Sequence, residues 1–139
     1  MSKKSQEQLN KYLQKEIEKA RLLGLELYPI NPEVIIGNSE TSFGYCAAKA
    51  NRRTGQITEC KIHLSNFARK LSKKEIKAIL MHEVLHAVVG SKGHNSVWKA
   101  NCKLVKKSYS YGGYEKYHLH EKPYSKNRAK KAYISDIYN

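Results

Sequence analysis

The chemistry of this chain is concentrated in His82, Glu83 and His86, within Met81-His82-Glu83-Val84-Leu85-His86-Ala87-Val88-Val89. Residues three to four apart share a helix face, so the two imidazoles stand one turn above each other with Glu83 in the same sector. Histidines so spaced can offer ring nitrogens to one Zn2+ ion. The carboxylate between them falls where it can take a proton from a metal-bound water instead of ligating the metal. Apart from these three residues, every position from Ala78 to Val89 is apolar. A helix apolar nearly all round is buried, and buried ionisable groups need partners. The plainer reading is two core histidines paired with a buried glutamate.

A third ligand is available just downstream. Gly90 and Gly93 allow a tight reversal in Gly90-Ser91-Lys92-Gly93-His94, which lets His94 approach the same ion. Asn95 is placed to cap a following helix with Val97, Trp98, Cys102, Leu104 and Val105 on its apolar side. A ligand just before a capped helix is held rigidly. Three protein nitrogens leave a fourth position for water, the open site of a catalytic zinc.

These residues need a frame. Ser72-x-x-Glu75 reads as a capping box that opens the histidine helix, and Gly90 as its stop. An amphipathic helix is expected over Gln6–Leu23, from the cap Ser5-x-x-Gln8 to Gly24, with Leu9, Leu13, Ile17 and Ala20 on one face. Three short strands are expected at Val34–Ile36, Phe43–Ala50 and Gln56–Leu64, with a bulge or twist after Ile57. His63 near the end of the third strand reads as a rim residue. The expected class is α+β: an N-terminal helix, a three-stranded meander sheet, the buried H-E-x-x-H helix and a ligand-bearing helix after it. Residues 1–108 form the expected core, and 109–139 a basic, tyrosine-rich extension.

At 139 residues the chain suits one domain. Cys46, Cys60 and Cys102 are odd in number and widely spaced, which argues against a disulfide framework and reads as small buried hydrophobes in a reducing cytosol. The start is charged and lacks the apolar core of a secretory signal, and no stretch is long enough to cross a bilayer. The cytoplasm is the expected site of action, with no membrane partner.

The net charge of +14 favours polyanions. Residues 99–139 hold ten Lys or Arg against three acids, whereas residues 1–98 hold sixteen against nine. Arg52, Arg53, Lys103, Lys106, Lys107, Arg128, Lys130 and Lys131 are the candidate nucleic-acid contacts. Tyrosines interleaved with such charges suit single-stranded DNA, where bases stack and phosphates pair with cations. A solvated extension is the alternative. His118-x-His120 is a weaker candidate for a second metal pair on a strand. Tyr109, Tyr111 and Tyr114 could return to the cleft to hold a developing oxyanion.

His82-Glu83-Val84-Leu85-His86-Ala87 followed by His94-Asn95-Ser96-Val97-Trp98-Lys99 resembles the SprT-like metallopeptidase domain, the family of the Spartan proteases. Phe43-Gly44-Tyr45-Cys46, Lys61-Ile62-His63-Leu64-Ser65 and the capped helix are similar too. The resemblance implies a zincin-like fold and a zinc endopeptidase with one ion on His82, His86 and His94. It makes Glu83 the general base and acid, and DNA-associated proteins the substrates. Within the expected cytoplasm the nucleoid is a candidate location, and the length fits a compact stand-alone form which, if phage-encoded, would act in the host cytoplasm. The interval from His86 to His94 is shorter than in many members, Asn95 stands where glycine is common, and no zinc-ribbon cysteines follow Leu104.

Substrate is expected to lie extended along the edge of the third strand. A second reading is a basic nucleic-acid-binding module braced by a structural zinc, without peptidase activity. A third is an ImmA-like peptidase, which the His94 to Trp98 pattern disfavours. The oligomeric state is left open.

Overall fold

The first helix shows how local sequence builds this frame. In the computed structural model, which describes residues 2–120, α1 spans Gln6–Leu22. The Ser5 hydroxyl accepts from the Gln8 amide, and the Gln8 side chain accepts from the Ser5 amide, closing the expected capping box. Its apolar stripe of Leu9, Leu13, Ile17 and Ala20 is buried against α2 (Lys73–His86).

The start of α2 differs from expectation in one respect. Ser72 accepts from the Glu75 amide at 3.2 Å, but the Glu75 carboxylate turns to His118 instead of back to the cap. The helix also ends earlier, at His86, with Ala87 as its cap. The chain then runs antiparallel to the segment after α1. The Tyr28 amide donates to the Ala87 carbonyl, and the Val89 amide to that of Glu26, both at 2.9 Å. An apolar run such as Ala87-Val88-Val89 suits a helix or a buried extended segment equally, so the distant partner decides.

The strands are β1 (Ile35–Gly37), β2 (Gly44–Ala50) and β3 (Ile57–Ser65). β2 and β3 form an antiparallel hairpin with Cys46 opposite Ile62. Its turn is closed by the Asn51 side chain, which accepts from the amides of Arg53 and Thr54. Lys49 lies opposite Glu59 but Ala50 lies opposite Ile57, so Thr58 is the extra residue of a bulge where the sequence phase shifts.

The sheet is not a meander. Its order is β1-β3-β2, and β1 runs parallel to β3 with Ile35 opposite His63. β3 takes the centre because Cys60, Ile62 and Leu64 give it a fully buried face, whereas β2 finishes in exposed Ala48, Lys49 and Ala50. Beyond β1, the Cys60 amide donates to the Pro29 carbonyl, so β3 is covered on that side as well. The edge strands among the described residues are therefore β1 and β2, not the third strand, and β2 is the one that borders the histidine cavity.

Helix and sheet meet closely at Gly44. A Cβ there would lie 2.5 Å from the His63 carbonyl oxygen and 3.6 Å from Ile79 of α2. α3 (Ser96–Ser108) starts at Asn95, whose side chain accepts from the Trp98 amide at 3.0 Å. The packed body continues past Ser108: Tyr111, His118 and Leu119 are buried, with His118 closing the short α4 (Glu115–His118). The class is α+β, with four α-helices and a mixed three-stranded sheet among the described residues. No helix among the described residues is long and apolar enough to cross a membrane.

Candidate metal centre

The helical spacing of His82 and His86 brings their Nε2 atoms to 3.2 Å. The loop after α2 brings in the third imidazole. Gly90 (φ +92°) and Gly93 (φ +55°) take backbone conformations that side chains disfavour, and the Asn95 amide group donates to the Gly90 carbonyl at 3.0 Å. Asn95 thus closes the loop with one end of its side chain while capping α3 with the other. His94 Nε2 lies 3.2 Å from His82 Nε2, and the three donor atoms all fall within 4.8 Å of one another. Nitrogens about 2.0–2.1 Å from a tetrahedral zinc stand about 3.3 Å apart, so the two 3.2 Å separations suit that ion. No other group of three or more His, Cys, Asp or Glu converges in this way among the described residues.

The rings are held from outside the cluster. His82 Nδ1 donates to the His118 carbonyl, which leaves its Nε2 lone pair facing the other two imidazoles. Trp98, almost fully buried, packs against all three rings, with centroids 4.4 Å from His94, 4.8 Å from His82 and 5.4 Å from His86. Burial pushes the His82 imidazole down to about 3, helped by the neighbouring histidines and opposed by the bond to His118. The ring is therefore neutral at neutral pH, the form that ligates a metal.

Glu83 is buried, with Oε2 4.0 Å from His82 Nε2. It opens into a cavity of about 320 Å³ shared with the three histidines. Tyr45, Cys46 and Ala48 of β2 form the opposite wall, and Gly93 completes the rim. Three imidazole nitrogens, a carboxylate set to one side and open space in front match the donor set of a catalytic zinc site.

The remaining candidates fall elsewhere. Arg52 and Arg53 are exposed at the hairpin tip, and Lys103 and Lys107 are exposed on α3 with Lys106 half-buried; none lines the cavity. Arg128, Lys130 and Lys131 lie outside the described residues. His118 and His120 do not form a strand pair: His118 is buried in α4 with Nε2 3.3 Å from Glu75 Oε1, and His120 is exposed. Tyr111 turns into the core, where its hydroxyl donates to Glu16 at 2.6 Å, and neither Tyr109 nor Tyr114 lines the cavity. The wall tyrosine is Tyr45, whose ring stacks on His63 across the strands at 4.0 Å. Cys60 and Cys102 are buried as expected, but Cys46 is only half-buried and faces the cavity.

Compared with protein-family models, residues 5–122 match the SprT-like family. The chain belongs to the SprT-like family. No curated protein and no solved structure matches it. The matched region encloses every element that builds the centre of this SprT-like protein, from the cap at Ser5 through the His94 loop to the His118 carbonyl. The family is associated with metallopeptidase-like proteins, and the histidine cluster gives this SprT-like member a place for a metal ion.

Proposed function

We propose that this SprT-like protein is a zinc-dependent endopeptidase acting on DNA-associated proteins. The observation that carries the reading is the convergence of three imidazole nitrogens beside a buried carboxylate in an open cavity. His82, His86 and His94 would hold one Zn2+ ion. Zinc so held supplies Lewis acidity, which makes a water nucleophilic at neutral pH and polarises a carbonyl.

The chain's own residues do the rest. Glu83 takes the proton of the attacking water and returns it to the leaving amine. His82 stays fixed through its Nδ1–H bond to His118, and Trp98 keeps the three rings from turning. Substrate pairs through its backbone with the edge of β2, where the small side chains of Cys46 and Ala48 leave room beside Glu83. Backbone pairing selects an extended chain more than a particular side chain. Arg52, Arg53, Lys103, Lys106, Lys107, Arg128, Lys130 and Lys131 are proposed phosphate contacts, with single-stranded DNA the preferred form. The cytoplasm, at the nucleoid or in the host of a phage, is the proposed location.

The test is cleavage of a DNA-bound protein by the purified chain, with and without a chelator, alongside Glu83→Gln. Cleavage that the chelator stops, and that Glu83→Gln lacks while retaining its zinc, supports the proposal. DNA binding with no cleavage under any metal condition favours a nucleic-acid-binding module braced by zinc. If Glu83→Gln cleaves at the wild-type rate, the base is misassigned.

A further inference from the structure

The Glu75 carboxylate, free by sequence to complete a capping box, is turned inward. Glu75 lies two turns before His82 on the same helix, and seven positions bring the two back to one face. Its Oε1 accepts from His118 Nε2 at 3.3 Å, and both side chains are largely buried. Phe43 packs edge-on against the His118 ring at 5.4 Å. The carbonyl of that same His118 accepts the Nδ1–H of His82. A contact that fixes the His118 side chain therefore also fixes the oxygen that orients His82.

The segment carrying His118 is tied down at its other end too. The Tyr111 hydroxyl donates to Glu16 of α1, and the Glu115 carboxylate accepts from the amides of Tyr111 and Gly113. Residues 111–118 thus form a strap laid from α1 across to the first turns of α2.

We infer that Glu75 and His118 are positioning residues for His82, holding it in the Nδ1–H tautomer with Nε2 aimed at the metal. An imidazole carries its proton on whichever nitrogen the surroundings engage, and the other nitrogen becomes the ligand. Without the pair, the His118 carbonyl keeps only the ties at the far end of its segment, and His82 gains freedom to exchange tautomers. The inference rests on the zinc reading above, but its first readout needs no metal.

The experiment compares wild type, Glu75→Gln, Glu75→Leu and His118→Phe. Glu75→Gln keeps an oxygen that accepts from His118. Glu75→Leu removes it. His118→Phe removes the donor while keeping a ring against Phe43. Nitrogen-15 NMR of the metal-free proteins reads the His82 tautomer. Competition with a chromogenic chelator reads zinc affinity, Co2+ substitution reads ligand geometry from its visible spectrum, and thermal melting reads the fold.

The expected result is a single Nδ1–H tautomer in wild type and Glu75→Gln, and a mixture in Glu75→Leu and His118→Phe. In those two, zinc affinity falls by about 10- to 100-fold, the usual cost of losing an outer partner of a metal ligand, and the Co2+ spectrum changes. Should Glu75→Leu not fold, His118→Phe carries the comparison alone. A lower melting temperature with an unchanged tautomer and unchanged zinc affinity would make the pair merely structural and overturn the inference. If wild type itself binds no zinc, the metal reading fails, while the tautomer readout still decides what the pair does.

Discussion

Trp98→Ala should damage the fold and the metal centre together. The indole is 1 % exposed and walls off three imidazoles, so its removal leaves a void that the rigid start of α3 and end of α2 cannot close. A buried Trp withdraws about 150–250 Å² from water. At about 25 cal/mol per Å² this amounts to about 4–6 kcal/mol, an upper figure because unfolded chains already bury some surface. Measured Trp→Ala losses of about 3–5 kcal/mol agree. With a urea dependence of about 2 kcal/mol per molar, the midpoint of the metal-free protein should fall by about 2 M. Trp98→Phe keeps a ring and forfeits the long bond from Nε1 to the His82 carbonyl, 3.4 Å, costing about 1 kcal/mol beyond the smaller packing loss. Urea unfolding and zinc titration on the same samples provide the check. Zinc affinity should drop sharply in Trp98→Ala although all three ligand residues remain. An unchanged urea midpoint together with wild-type zinc affinity would refute the idea that this indole supports the centre.

Gly44→Ala should destabilise the protein by about 1–3 kcal/mol and weaken cleavage, because the new methyl meets the His63 carbonyl oxygen and β2 must move away from the site; an unchanged melting curve would count against this. Tyr111→Phe removes a donor from the buried Glu16 carboxylate and should cost about 1.5–3 kcal/mol, read by urea unfolding against Tyr109→Phe as a control. The metal-free protein should lose stability as the pH falls below about 6.5 and on towards 3. The folded state holds His82 neutral, the unfolded chain takes up its proton first, and the contribution is fully present only above 6.5. His82→Gln should flatten that part of the pH profile, and an equally steep profile in the variant would show that another group is responsible.

What could be read in advance follows the range of the interactions. α1 and its cap are set by residues three and four apart, and the β2–β3 hairpin by neighbours in sequence, so both were legible. The convergence of His94 was legible because Gly90 and Gly93 mark a short reversal and Asn95 marks the start of the next helix. The parallel pairing of β1 with β3 was not, since nothing in Ile35-Ile36-Gly37 names a partner beyond the next strand. Nor was the early end of α2, which depends on Glu26 and Tyr28. Glu75 looked like a cap residue because its true partner, His118, lies far along the chain. Glu16 did carry a signal: an acid beside the apolar stripe of α1 needs partners when buried, and it has them in Tyr111, Lys19 and Lys77.

The centre is tested most directly by zinc analysis of the purified protein beside His82→Ala, His94→Ala and Glu83→Gln. One zinc per chain is expected in wild type and in Glu83→Gln, with the ion lost from both histidine variants. A wild-type protein without zinc, or a His94→Ala protein that keeps a full complement, would contradict a site made of these three histidines.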